Sequence, residues 1–433
     1  VSGDLLLCYY GDDLTGSTDV MEALATRGTP TILFTAIPTA DEMKRFPGRR
    51  VIGIAGTSRS ETPEWMDENL PPVFEWMKHS SAALCHYKVC STFDSSPAVG
   101  SIGRAMDIAA SVFRQTCMPL VVGAPELKRY TAFGNLYAHF GPDVFRIDRH
   151  PVMNRHPVTP MDEADLRVHL GRQTDKSIGL IDFLRLKNGL APEELSQRAR
   201  QEDILLFDVL DEETKAATGR HLWSLREECR FVTGSSGVEY ALVAKDAGTP
   251  LSGEARSVAG PGGRGPIAVV SGSCSPTTER QIRHAIDNGF DGIHVDASAL
   301  TTQTEATVQA AIEAASGVLR SGRSPLLYTA LGIADMRVAG LEGHLIGQGL
   351  GLILAGLVRR HGLKRAVVAG GDTSSHAIKQ LSILALELLA PLPACPGSPL
   401  CTGFLKTEGE QLEIAFKGGQ VGTDAYFTVV RDI

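Results

Sequence analysis

The run GDDLTGSTD sets two adjacent carboxylates, Asp12 and Asp13, directly after the apolar stretch LLLCYY. Neighbouring side chains on a strand point to opposite faces, but past the strand end both can turn toward one crevice. One of them could take the proton from an acceptor hydroxyl. An aspartate here could equally cap the helix that follows, through Thr15 to Ser17. Arg59, in TSRS, has the planar fork that suits a bidentate grip on a carboxylate; as a lone arginine it could instead serve a surface ion pair. Lys88 closes the apolar run ALCHYKV, so its charge belongs at a strand mouth, in a substrate crevice or at a solvated edge. Ser91 and Asp94 follow at once in CSTFDSS.

The second half of the chain carries a different chemistry. In AVVAGGDTSSHAIKQL a β-branched run meets Gly370, Gly371, Asp372 and Thr373 and then a helical stretch. Glycines let backbone N–H groups approach a phosphate, hydroxyls add donors, and a helix start adds partial positive charge. The same residues could form only a tight turn with Ser374 as helix cap. SGSCSPTTERQ, holding Ser273, repeats the layout with Pro276 suited to a first helical turn, and FKGGQVGTD offers Gly419 in a third glycine turn. Three such turns favour a nucleotide pocket more than any one does. Neither GxxxxGK[ST] nor the protein-kinase signature set occurs, so a nucleotide would need another architecture. A dehydrogenase would need GxGxxG after the first strand, which GDDLTG is not. His150 and His156, six residues apart with prolines nearby, fit no helical metal pair, and no metal site is expected.

The elements that must position these residues alternate. Strand-like runs at Leu5 to Tyr10, Thr31 to Ile37, Val51 to Gly56, Ala83 to Val89 and Leu120 to Pro125 are separated by helical stretches, the first from about Ser17 to Arg27 with Gly28 closing it. A second series follows at Ile267 to Gly272, Gly292 to Ala297, Pro325 to Ala330 and Ala366 to Gly370, with helical stretches near 305–321 and 345–361. The expected fold is α/β with two domains, each a largely parallel sheet layered with helices. The Gly/Pro/Ser-rich GTPLSGEARSVAGPGGRGP reads as a linker over 248–266, between an N-terminal domain 1–247 and a C-terminal domain 267–433. Ligands of open α/β sheets bind beyond the carboxyl ends of the strands, so Asp12, Asp13, Arg59, Lys88, Ser91 and Asp94 could share one crevice.

A length of 433 residues is more than one core usually holds. The net charge of −8 comes without a basic stripe, which argues against nucleic acid as a partner. Eight cysteines without CxxC suggest reduced thiols, and with no signal-like start and no run of 18 apolar residues the expected location is cytoplasmic, away from membranes. A homodimer is left open.

The ordered set GDDLTGSTD, YKVCSTFDSS, HPVTPM, VTGSSG, VSGSCS, VVAGGDTSS and KGGQVGTDAYF resembles the four-carbon acid sugar kinase family over nearly the whole chain. The resemblance implies an N-terminal acid-sugar domain, a C-terminal nucleotide domain, and ATP-dependent phosphorylation of a terminal hydroxyl of a small sugar acid. It implies ATP contacts at Ser273, Gly370, Gly371, Asp372, Thr373 and Gly419. Substrate contacts are implied around Asp12 or Asp13, the expected base, with Arg59, Lys88, Cys90 and Ser91; Asp94 joins them by topology. Mg²⁺ would accompany ATP, with Asp372 as an indirect contact. YKVCSTFDS looks like the 3-oxo-tetronate kinase branch, and the 3-oxo-isoapionate kinase branch is similarly close. Threonate and erythronate branches more often carry K-[IV]-D-S-T, where Cys90 here replaces an acid. A threonate or erythronate kinase, or a non-catalytic sugar-acid binder on the same fold, are the alternative readings.

Overall fold

The computed structural model describes residues 5–156, 158–254, 258–332, 343–393 and 395–433. Contacts divide the chain into two units. The first holds 1–12, 23–32 and 37–256; the second holds 13–22, 33–36 and 257–433. Against the expected boundaries, the segments 13–22 and 33–36 therefore group with the C-terminal unit.

Unit 1 is built on strands β1 (Leu7–Gly11), β3 (Val51–Ala55), β4 (Leu84–Lys88), β5 (Met118–Val121), β9 (Ile178–Ile181), β10 (Ile204–Phe207) and β11 (Phe231–Gly234); β2 (Thr31–Phe34) begins in this unit. Their order is β3-β1-β4-β11-β5-β10-β9 and every neighbouring pair is parallel. Most of these strands are short apolar runs buried throughout, as a sheet covered on both faces requires. The chain passes from β1 to β3 on one side and then to β4 on the other. The winding thus reverses at β1, the kind of point where open α/β sheets bind ligands. Register aligns Gly11 with both Ala55 and Lys88, so Asp12 emerges beside the ends of β3 and β4.

A small antiparallel sheet, β6 (Arg129–Ala132), β7 (Asn135–Phe140) and β8 (Asp143–Arg146), follows β5. The sequence reading did not anticipate it. Its strands are short, and on β8 every side chain is at least partly exposed, so the apolar signal is weak.

Unit 2 uses β12 (Ala268–Ser271), β13 (Phe290–His294), β14 (Ser324–Tyr328), β15 (Arg365–Ala369), β16 (Ile383–Ala390), β17 (Leu400–Leu405) and β18 (Gln411–Lys417). The order β13-β14-β12-β15-β18 is parallel, and β17 and β16 extend it antiparallel. Leu33 and Phe34 pair antiparallel with β16. Here the winding reverses at β12. The sheet is held in part by Arg365, fully buried on β15, whose charge is met by Glu413 on β18 at 2.6 Å and by the Val430 carbonyl at 2.8 Å. A buried guanidinium survives only with such pairing.

Several expected boundaries shift. The first helix is Leu14–Ala25, starting before Ser17 because Asp13 caps it; Gly28, at φ +83°, follows its end. β2 stops at Phe34 rather than Ile37. The helix after β15 begins at Gly371, so Ser374 lies inside it and is not its cap. Pro276 does occupy the first turn of the helix Pro276–Asp287, capped by Ser275. Residues 248–266 contain no helix or strand among those described, while 255–257, and Pro157 of the HPVTPM run, lie outside the described residues.

Candidate functional site

In unit 1 the carboxyl ends of β1, β3 and β4 gather Asp12, Arg59, Lys88, Cys90 and Asp94. The Asp12 N–H donates to the Lys88 carbonyl at 2.8 Å, and the Arg59 N–H donates to the Asp12 carbonyl at 3.1 Å. Asp12, Lys88 and Asp94 are buried. Arg59 does grip a carboxylate, but an internal one: Nη2 reaches both oxygens of Asp94, at 3.1 and 3.0 Å. Thr92 donates to Asp94 as well, and the Thr159 hydroxyl does so at 3.2 Å. Burial alone would raise the Asp94 pKa. The charges of Arg59 and His156 and the Thr92 hydrogen bond outweigh it and bring the carboxyl down to about 2. Cys90 Sγ lies 3.0 Å from Thr92 Oγ1, which ties it to this network. Ser91 is half-buried in the same turn.

Lys88 differs from its neighbours. Its Nζ donates to the Val89 carbonyl at 2.9 Å and, among the described residues, forms no ion pair. An ammonium has three donors. Placed at a strand end beside the winding reversal, this one is equipped to meet an anion.

Asp13 stands apart from Asp12. It groups with unit 2, where its Oδ1 accepts from the Gly16 N–H at 2.6 Å and its Oδ2 from the Thr15 hydroxyl at 2.9 Å. The capping alternative is therefore what the Asp13 side chain does. The same carboxylate lies by the glycine turn: a Cβ on Gly371 would sit 3.8 Å from Asp13 Oδ2. The Leu14 N–H donates to Ser375 Oγ at 3.2 Å, joining the first helix to the one that starts at Gly371.

The six residues expected around a nucleotide come together in unit 2. Gly370 follows β15 with φ +114°, a conformation that only glycine takes without strain. A Cβ there would meet Thr373 Oγ1 at 2.8 Å and the Ser273 nitrogen at 3.5 Å. A Cβ on Gly419 would meet Ser273 Oγ at 2.9 Å. The Gly370 N–H donates to the Lys417 carbonyl at 2.7 Å, binding the second turn to the third. Asp372 is exposed in the first turn of its helix. The result is a cradle of backbone N–H groups and small hydroxyls at the winding reversal of the second sheet.

Lys417 was missed by the sequence reading. It ends β18 immediately before Gly418 and Gly419, fully buried, and its Nζ donates to the Gly418 carbonyl at 2.7 Å and to the Thr278 hydroxyl at 3.1 Å. Burial depresses its pKa to about 8, with Cys395 opposing weakly. It orders the third turn from within. The available signal was a lysine closing an apolar strand before glycines, the same placement as Lys88. Thr159 was not singled out although it lies in the HPVTPM run: it reaches Asp94 from a distant loop, and the run alone does not announce that contact.

Two α/β units, one presenting cations and a buried carboxylate network at its winding reversal and the other a glycine and hydroxyl cradle, form a bipartite architecture suited to an acidic ligand and a phosphate donor. Comparison with known proteins agrees. Residues 7–242 match the family described as a sugar-binding N-terminal domain, and residues 268–427 the one described as a nucleotide-binding C-terminal domain. The chain is 43% identical to a 3-oxo-isoapionate kinase of Paraburkholderia graminis, over 99% of this chain and 94% of that one. It is 30% identical to a 3-oxo-tetronate kinase of Methylobacterium radiotolerans over 99% of both chains. A Salmonella typhimurium LT2 structure covers 98% of both chains at TM-score 0.77 and 23% identity. A Haemophilus influenzae protein of the DUF1537 family covers 98% of this chain and 99% of its own at TM-score 0.69 and 20% identity, and these two likenesses bear on the fold alone. The chain belongs to the four-carbon acid sugar kinase family. Among the described residues no helix is long and apolar enough to cross a membrane.

Proposed function

We propose that the chain transfers the γ-phosphoryl of ATP to the terminal hydroxyl of 3-oxo-isoapionate. The observation that carries this is the 43% identity, along essentially the full chain, to a protein named for that activity. 3-Oxo-tetronate is the second reading, supported by the relatives at 30% and 28% identity named for it.

In this reading residues 1–247 bind the acid, 248–266 form the linker and 267–433 bind the nucleotide. Lys88, Arg59, Cys90, Ser91 and Asp94 shape the acid site, with Arg59 held in place by Asp94. Asp12 is the general base, because both oxygens of Asp13 are already engaged at the start of the first helix. Ser273, Gly370 to Thr373 and Gly419 hold the phosphates through backbone N–H groups and hydroxyls. Positioning and fixed dipoles supply most of the acceleration in phosphoryl transfer. Among the described residues no cluster of three or more metal-ligating side chains occurs. Mg²⁺ keeps several waters and takes its other ligands from substrate phosphates and one or two carboxylates. Asp372, exposed at the turn, is the residue that would approach it through water, and the ion would neutralise phosphate charge.

Coupled ADP release, measured with 3-oxo-isoapionate, 3-oxo-tetronate, threonate and erythronate, tests the proposal. The expected result is the highest kcat/KM on 3-oxo-isoapionate, and preference for threonate or erythronate would refute it.

A further inference from the structure

The acid site as described has one guanidinium already committed to an internal carboxylate. A second lies on the same edge. Arg129 opens β6, and its main chain bridges Ala124, just past the end of β5, through N–H to carbonyl bonds of 3.1 and 2.9 Å. β5 pairs with β11 and β11 with β4, so Arg129 belongs to the carboxyl-end edge that carries Lys88. Its Nη1 donates to the carbonyls of Leu127 and Lys128, both at 3.1 Å.

The other edge of the guanidinium is different. Nε is sealed from solvent and makes no hydrogen bond among the described residues. No carboxylate there pairs with Arg129. A sealed donor without an acceptor is costly, and a buried arginine ordinarily has a counter-ion. Burial pushes the guanidinium pKa down, with Cys90 and Tyr130 opposing, which places the Cys90 side chain within electrostatic reach. Cys90 is thus a link between Arg129 and the network of Thr92, Asp94 and Arg59.

We infer that Arg129 binds the carboxylate of the sugar acid through the unpartnered edge of its guanidinium, Nη2 first and Nε once a side-chain shift uncovers it, acting with Lys88 as the specificity-determining pair. The two donors form the side-on fork that matches a carboxylate's two oxygens. That fork has no carboxylate partner among the described residues, so the substrate supplies the anion. This inference rests on the proposed sugar-acid kinase activity.

The test is steady-state kinetics of Arg129→Met and Arg129→Lys with 3-oxo-isoapionate and 3-oxo-tetronate, alongside the amide analogue of whichever acid is used. Arg129→Met is expected to raise KM for the acid by about 10- to 100-fold, the loss of a charge-assisted pair. ATP KM should stay within twofold, and discrimination between acid and amide should shrink by a similar factor to the rise in acid KM. Arg129→Lys, which keeps charge without the fork, should fall between. An active wild type with unchanged acid KM in Arg129→Met overturns the inference alone. A wild type that phosphorylates neither acid overturns the proposed function and the inference with it. If Arg129→Met does not fold, Arg129→Lys decides: a severalfold higher acid KM supports the inference, and a wild-type KM overturns it.

Discussion

The two ligand edges are built from opposite materials. The edge of unit 1 depends on charged side chains: Lys88 in no described ion pair, Arg59 fixed on Asp94, and Asp94 held by two threonine hydroxyls. The edge of unit 2 depends on backbone, with Gly370, Gly371 and Gly419 clearing space and Ser273 and Thr373 supplying hydroxyls. A buried cation there, Lys417, is turned onto neighbouring carbonyls and shapes the loop. In the proposed function the difference follows from what each edge would recognise. A phosphate chain is common to every ATP and can be read by N–H groups, which any sequence with the right turn provides. A small acid must be told from its relatives, and that takes particular side chains at particular places.

The largest effect should come from the candidate base. Asp12→Asn should lower kcat by about 100-fold or more, as loss of general base catalysis does. Asp13→Asn keeps an equivalent cap and should retain most of kcat. Steady-state assays of both variants check this, and the reverse ranking would move the base to Asp13.

Gly371 offers a sharper break. Its φ is not in the left-handed region, and an added Cβ meets its nearest neighbour, Asp13 Oδ2, at an ordinary contact distance, 3.8 Å. The folded protein should therefore accept Gly371→Ala without loss of thermal stability. If phosphate approaches this backbone closely, ADP affinity should fall by about tenfold or more, since the methyl displaces the phosphate from its N–H donors. Unchanged ADP binding by calorimetry would place the phosphates elsewhere.

A smaller effect concerns the support of the second edge. Glu22, on the first helix, is pushed up to about 8, first by burial and then by Asp19, with the Gly397 N–H opposing at 2.6 Å. The folded state keeps a proton that the unfolded state releases near 4.5, so stability should fall as pH rises from 4.5 through 8. One such proton gives a slope of at most about 1.4 kcal/mol per pH unit. Glu22→Gln should flatten that decline in denaturant titrations across the window, and an unchanged slope would assign it to another group.

The same contrast explains what could be read from the chain alone. Short apolar runs with glycine turns marked the parallel strands, because a buried parallel strand leaves that trace in a handful of residues. The residues proposed to hold the nucleotide were accessible for a related reason: the glycine turns at Gly370, Gly371 and Gly419 are local features of the chain. The acid edge was accessible only in part. That Arg59 would spend its fork on Asp94, and that Thr159 would join them, depends on contacts between distant segments. Asp12 and Asp13 are adjacent in sequence, yet Asp13 caps a helix and groups with the other unit. Nothing in a DD pair says which of its members will do so. Arg129 opens a four-residue strand with only one fully buried side chain, too short to draw notice.

The division of labour is the central claim, and paired calorimetry of Lys88→Met and Gly371→Ala tests it most directly. Each variant is titrated separately with ADP and with 3-oxo-isoapionate. The account predicts a crossed pattern: Lys88→Met loses affinity for the acid and keeps it for ADP, while Gly371→Ala does the reverse. If Lys88→Met binds the acid normally, or Gly371→Ala binds ADP normally, the account is contradicted.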